Sequence, residues 1–264
     1  DFVTYWSTPL YEKSQWKYVK VLSPDGQKLK AADPYREIRQ RYSWAFREWV
    51  NANPDELTSL EIGARLQQFA AKHNCQMETM DATRLADAGL NLLVAVGQAS
   101  KRSPSVLHLL TWNPKNSSAP PHLLVGKGIT FDTGGINLKP HESFVNCMKN
   151  DMGGAALMCQ LFMALVESGY PGPLCLAIPA CENLIAEKSM KPGAIVKSYS
   201  GKKVIIEHTD AEGRLILADA IHYSQKKWKP AQTWVAATLT TAALRQFSGY
   251  FTAAHFAPED LQHK

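Results

Sequence analysis

The amino-acid sequence predicts an α/β fold, a three-layer α/β/α sandwich around a mostly parallel central sheet. Three observations carry that expectation. Short apolar runs of strand length alternate with longer stretches of helical periodicity through most of the chain. Two of those runs lead straight into glycine-flanked ionisable residues, as expected where an α/β sheet carries its functional loops. The 264 residues, 45% hydrophobic and 20% charged, suffice for one large domain with a smaller appendage and exclude a disordered, collagen-like or coiled-coil chain.

Residues 1–33 mix aromatics and lysines (Tyr5, Trp6, Trp16, Tyr18) around a turn at Ser23-Pro24-Asp25-Gly26, which reads as a β-hairpin edge. They are expected to end a small N-terminal domain. Over 34–52, Ile38, Tyr42, Ala45, Phe46, Trp49 and Val50 form a helical stripe, with Asp33-Pro34 as cap and first-turn proline. This segment is expected to be a linking helix. The main domain then spans 53–264 and opens with a helix over Thr58–Lys72, where Thr58 and Glu61 have capping-box spacing. Strands are expected at Leu92–Val96, Val106–Leu110, Leu123–Val125, Leu174–Ile178, Val204–Ile206 and Trp234–Ala237, and helices at Gly153–Glu167 and Leu215–Ser224.

Composition removes several function classes. The net charge of +5 comes from 29 basic and 24 acidic residues without a long run of one sign, which fits a solvated mixed surface better than a nucleic-acid interface. Cys75, Cys147, Cys159, Cys175 and Cys181 are odd in number and form no CxxC pair, so reduced thiols are expected, not a disulfide framework or thiolate zinc site. No run approaches the roughly 18 apolar residues of a membrane span, and the cytoplasm is the expected compartment. Because the chain opens at Asp1 without a methionine, both ends are provisional.

Familiar motifs fail one by one. Gly126-Lys127 is followed by Gly128 and not by Ser or Thr, so it is no phosphate-binding loop. His141-Glu142 lacks the second histidine of a helical zinc site, there is no GxSxG elbow, and the eight histidines are scattered without i, i+4 pairing. Two segments remain: Val125-Gly126-Lys127-Gly128-Ile129-Thr130-Phe131-Asp132-Thr133-Gly134-Gly135 and His208-Thr209-Asp210-Ala211-Glu212-Gly213-Arg214. Glycine lets backbone approach a ligand closely, so charges set among glycines are candidates for an inward-facing site. A glycine turn with surface charges reads equally well from either segment alone.

Together with Lys139 and Lys149-Asn150-Asp151-Met152-Gly153-Gly154, these stretches resemble the leucine aminopeptidase family of dinuclear-metal exopeptidases. The likeness runs roughly from Pro34 to Ala243, and its most specific piece is Thr209 to Leu215. The resemblance implies a metallopeptidase domain over 53–264, incomplete at its C-terminus. It implies two divalent ions, Zn²⁺ or Mn²⁺, held by Lys127, Asp132, Asp151, Asp210 and Glu212, with Lys127 coordinating as a neutral amine. Four carboxylates balance two such ions, whereas gathered empty they would repel.

A hydroxide shared by the ions is then the implied nucleophile, the ions anchor the substrate's free α-amino group, and Lys139 meets the oxyanion. Arg214 corresponds to the arginine that holds a proton-shuttling bicarbonate. Met148, His208, Thr238, Leu239 and Thr241 fall at substrate-binding positions, although Met148 reads also as a core methionine and Asp151 as a helix cap.

The implied activity is removal of an N-terminal, leucine-like residue from peptides by a homohexamer. His208 stands where the family has asparagine, and Thr241 where it has glycine, which bears on specificity more than on activity. The alternative reading is a catalytically impaired homologue serving as an oligomeric scaffold or binding protein. Sequence-specific DNA binding rests only on a pI near 8.9.

Overall fold

The structure, a computed structural model, describes residues 35–240. The N-terminal hairpin, the Asp33-Pro34 cap and Thr241 lie outside the described residues. The elements are six α-helices, α1 (Arg36–Asn51), α2 (Ser59–His73), α3 (Ala82–Ala88), α4 (Asn91–Gly97), α5 (Gly153–Glu167) and α6 (Glu212–Trp228), and eight strands. The strands are β1 (Gln76–Met80), β2 (Val106–Trp112), β3 (His122–Gly126), β4 (Gly128–Asp132), β5 (Leu174–Asn183), β6 (Ile195–Lys197), β7 (Lys203–Ile205) and β8 (Gln232–Ala236).

The central sheet has the order β1-β2-β5-β3-β8, with β4 also paired to β5. The pairings β3–β5, β3–β8 and β4–β5 are parallel, while β1–β2 and β2–β5 are antiparallel, so the mostly parallel sheet carries an antiparallel flank. Alternation along the strands divides the core into two layers. Val106 and Leu110 of β2, Leu124 of β3 and Leu176 and Ile178 of β5 pack with Trp49, Ile62, Leu66 and Phe162 of α1, α2 and α5. Leu107, Leu109, Leu123, Val125 and Ala177 face the other way, onto Leu85, Leu92, Leu93, Val96, Ile216 and Ala220 of α3, α4 and α6. The expected three-layer α/β/α sandwich is therefore what forms.

Helix α2 begins as its sequence indicates, with Thr58 Oγ1 accepting from Glu61 N at 3.2 Å. The reciprocal half of the box is absent: the Glu61 carboxylate turns forward to Arg65 at 2.8 Å. Helix α5 has the expected bounds, and α6 extends past the expected Leu215–Ser224 at both ends.

Two expected strands need correction. Leu92–Val96 is not a strand but most of α4, an apolar run buried between the sheet and α6. A continuous apolar run has no period with which to distinguish a fully buried helix from a buried strand. The Leu90 cap position lacks a side-chain acceptor, and Asp219 of α6 supplies one, accepting from Leu92 N at 2.8 Å and Leu93 N at 3.4 Å. Val204–Ile206 contributes β7, but in a separate antiparallel pair with β6 and outside the central sheet.

Strands β3 and β4 run side by side with β5 and are separated by one residue, Lys127. Lys127 N donates to Ala236 O at 3.0 Å and Lys127 O accepts from Ala155 N at 2.8 Å, which fixes the break against β8 and the start of α5. Further on, the β4–β5 register slips between Ile129 and Asp132. Such a bulge bends a strand and re-aims its side chains, and Asp132 lies at this slip.

Candidate metal centre

The ends of β4, β5 and β8 and the starts of α5 and α6 meet at the C-terminal edge of the parallel strands, where open α/β sheets hold ligands. Asp132 closes β4, Asp151 lies two residues ahead of α5, and Asp210 sits in a 3-10 turn, Thr209–Ala211, leading into α6, whose first residue is Glu212. Helix N-termini favour acidic side chains, which is one reason these carboxylates tolerate the position. Lys127, Asp132 and Glu212 are 1–2% exposed and Asp151 6%. Asp210 is half-buried.

Two lysines thread this acidic cluster. Lys127 Nζ lies 2.8 Å from Asp151 Oδ1, 2.9 Å from Glu212 Oε1 and 2.8 Å from Thr238 O. Lys139 Nζ lies 2.8 Å from Asp132 Oδ2 and 2.5 Å from Asp210 Oδ1. Burial by itself would lower both ammonium pKa values, but the facing carboxylates outweigh it and both are raised. Burial, with the nearby Glu212 charge, pushes the Asp151 carboxyl up against the opposing pull of Lys127.

Oxygens of Asp132, Asp210 and Glu212 lie within 4.8 Å of one another, close enough to hold a metal ion together. Asp151 Oδ2 and Glu212 Oε2 are buried without a hydrogen-bond partner. Leaving a buried carboxylate oxygen unpaired costs several times what a formed hydrogen bond contributes, and a cation is the partner such atoms accept best.

The expected site residues separate into those the fold gathers and those it leaves at the rim. Lys127, Asp132, Lys139, Asp151, Asp210 and Glu212 are gathered. Arg214, in the first turn of α6, is exposed. His208 is exposed and its Nδ1 accepts from Asp210 N at 3.2 Å, which holds the 3-10 turn. Met148 is half-buried in the 3-10 segment Val145–Asn150, and Leu239 is 45% exposed. Thr238 is tied into the cluster itself: its hydroxyl donates toward Asp151 Oδ1 at 2.8 Å, with Asp151 O at 3.0 Å, while its carbonyl accepts from Lys127.

Sequence reading missed the residues that brace the carboxylates. Asn183, at the end of β5, donates from Nδ2 to Asp132 Oδ1 at 2.8 Å and to Thr209 O at 3.0 Å. Thr209, fully buried, donates from Oγ1 to Gly134 O at 2.6 Å and accepts from Asn137 N at 2.9 Å. The available signal was a neutral amide at the end of an apolar run, which resembles any strand terminus. Gly213 in the sequence is one glycine of its motif, yet a Cβ there would lie 2.5 Å from Lys127 Cε and 2.7 Å from its Nζ.

Known proteins resemble this chain in sequence and fold. The family described as the cytosol aminopeptidase family, catalytic domain, matches residues 44–264. A probable cytosol aminopeptidase of Acidovorax ebreus is 40% identical over 215 residues, covering 81% of this chain and 42% of its own. The crystal structure of a cytosol aminopeptidase from Coxiella burnetii superposes with a TM-score of 0.75 at 31% identity, over 88% of this chain and 50% of the other. The bottromycin maturation enzyme BotP, in complex with Mn, does so with a TM-score of 0.73 at 31% identity, over 82% and 48%. The chain thus spans half or less of the length of these relatives.

Proposed function

Starting from the fact that this chain belongs to the cytosol aminopeptidase family, we propose that it acts as a metal-dependent aminopeptidase. Its reaction is removal of an N-terminal, apolar, leucine-like residue from peptides. The observation that carries the reading is the convergence of four carboxylates, from three separate segments, on one cage with two buried oxygens left unpaired. Lys127, Asp132, Asp151, Asp210 and Glu212 would hold two divalent ions there. The hard, oxygen-rich donor set with one amine suits Mn²⁺ or Zn²⁺. When bound, such a pair supplies the charge that makes water nucleophilic near neutral pH and polarises a scissile carbonyl.

The remaining steps belong to the chain's own groups. Four carboxylates would balance two divalent ions held with Lys127 as a neutral amine, so the loaded cage would bind the free α-amino group of a peptide in its neutral form, which would account for action at the chain's end. Lys139, kept charged by its raised pKa, stands at the half-open side of the cluster, where it stabilises negative charge developing on the carbonyl oxygen. Arg214 offers a planar fork for bicarbonate, which would carry the proton. Met148 and Leu239 supply apolar surface for the departing side chain, and His208 and Thr238 line the path of the peptide; the resemblance adds Thr241 to them. The resemblance suggests that residues 1–33 belong to the end of a small N-terminal domain, with 34–52 as the link to a catalytic domain at 53–264.

No helix among the described residues is long and apolar enough to cross a membrane; the family resemblance is what suggests a cytoplasmic homohexamer. The test is hydrolysis of leucine p-nitroanilide by metal-replete protein. Cleavage that stops in EDTA, returns with Mn²⁺ or Zn²⁺ and fails on the N-acetylated substrate is the expected result. Tight metal binding with no cleavage of any unblocked leucyl substrate overturns the catalytic reading and favours a scaffold.

A further inference from the structure

We infer that Asn183 is a positioning residue that yokes the two loops carrying the candidate ligands and fixes which oxygen of Asp132 faces the cage. The inference rests on the metal-centre reading above. Asn183 pairs with Asp132 in the β4–β5 register, and its carbonyl accepts from Thr133 N at 3.0 Å and Thr133 Oγ1 at 2.9 Å. Its side chain then reaches in two directions. Nδ2 donates to Asp132 Oδ1 at 2.8 Å and to Thr209 O at 3.0 Å. Both partners are pure acceptors, so the amide can present only its nitrogen to them.

The consequence for Asp132 is geometric. Its Oδ1 already accepts from Gly134 N at 2.9 Å, and the Asn183 bond fills the remaining capacity of that oxygen. Oδ2 alone is left to face Lys139 and the other carboxylates. On the second arm, Thr209 directly precedes Asp210, and Asn137 closes the loop by accepting from Thr209 N at 2.9 Å. One buried amide, 2% exposed, thereby holds the end of β4 and the turn before α6 in a fixed relation. Groups behind a metal ligand commonly set its orientation, and removing one costs about 10–100-fold in metal affinity.

The test is Mn²⁺ binding by chelator competition to the wild-type chain and to Asn183→Leu, which keeps the branched shape but removes the donor without adding charge. Thermal unfolding in EDTA checks that the variant folds, and Asn183→Ala replaces it if the leucine does not. Expected is cooperative unfolding in EDTA, a Mn²⁺ dissociation constant about 10–100-fold weaker, and leucine p-nitroanilide activity that recovers as Mn²⁺ is raised to saturation. An unchanged Mn²⁺ affinity in a folded variant overturns the positioning role while leaving the metal centre standing. Failure of the wild-type chain to bind Mn²⁺ overturns both.

Discussion

Lys127 is a buried lysine whose position depends on a missing side chain. It is 1% exposed, its amine meets three acceptors, and its aliphatic end lies against Gly213 in the first turn of α6. Two opposite effects compete in Gly213→Ala. Helix propensity alone would favour alanine by about 1 kcal/mol. A methyl group 2.5 Å from Lys127 Cε must instead push the amine off Asp151, Glu212 and the Thr238 carbonyl, and overpacking of this kind costs about 1–3 kcal/mol. The expected outcome is a net loss of stability in urea unfolding with weakened Mn²⁺ binding; a stabilised variant with unaltered affinity would show that the contact imposes nothing. Of the charged members of this site, Lys127, Asp132, Asp210 and Glu212 were legible as ionisable residues set among glycines after apolar runs, whereas Lys139 and Asp151 were reached through the family resemblance. Asn183 was not legible, and Thr238 was reached only through the resemblance, as a substrate-binding position and not as a partner of Asp151, since neutral polar residues end many strands and these contacts span 51 and 87 residues of sequence.

Elements were legible in proportion to their periodicity and length. Helix α5 and the strands β2, β3 and β5 show their patterns locally, whereas α4 is a short, wholly apolar stretch whose N-terminus is capped from α6, far along the chain. Strand β1 escaped notice because Gln76–Met80 is mostly polar and sits at the sheet edge, where pairing with β2 and not burial defines it. The Asp219 contact predicts that Asp219→Ala leaves the amides of Leu92, Leu93 and Tyr199 without their acceptor. The loss should be about 1–3 kcal/mol, read as a lower Tm; an unchanged Tm would mean that α4 needs no cap.

His108 joins elements in the same way, its Nε2 bonded to Ser59 O at the start of α2 and its Nδ1 to Thr79 Oγ1 of β1, each at 2.9 Å. The carbonyl requires a donor, so Nε2 carries the proton and Nδ1 accepts from the hydroxyl. Burial lowers the imidazole pKa below its ordinary 6.5 against the weaker opposing pull of the Ser59 bond. The folded state therefore holds fewer protons on this group than the unfolded chain. Its contribution is complete above pH 6.5 and is lost as pH falls from 6.5 through the depressed value. Tm should fall more steeply between neutral and acidic pH in the wild-type chain than in His108→Gln, and equal slopes would remove His108 as the cause.

At the scale of the molecule, the candidate metal centre is a junction between layers. Asp151 comes from the start of α5 on one face of the sheet, Asp210 and Glu212 from the start of α6 on the other, and Lys127 and Asp132 from the sheet between them. Ions bound there would join all three layers, and they bind a geometry that the unfolded chain lacks. Their binding free energy then adds to folding stability as RT ln(1 + [M]/Kd), about 2.7 kcal/mol at a hundredfold excess over Kd. For a domain of this size each kcal/mol moves Tm by roughly 2–4 °C, so Mn²⁺ at that excess should raise Tm by about 5–10 °C over EDTA. The increment should also depend on pairs from opposite faces. Removing Asp151 alone, as Asp151→Asn, should abolish most of it, because that change leaves the α5 layer unattached, whereas Glu212→Gln leaves Asp210 to hold the α6 layer and should remove less. A Tm shift that survives both substitutions would mean that the ions bind elsewhere and that the convergence of the three layers does not serve to hold them.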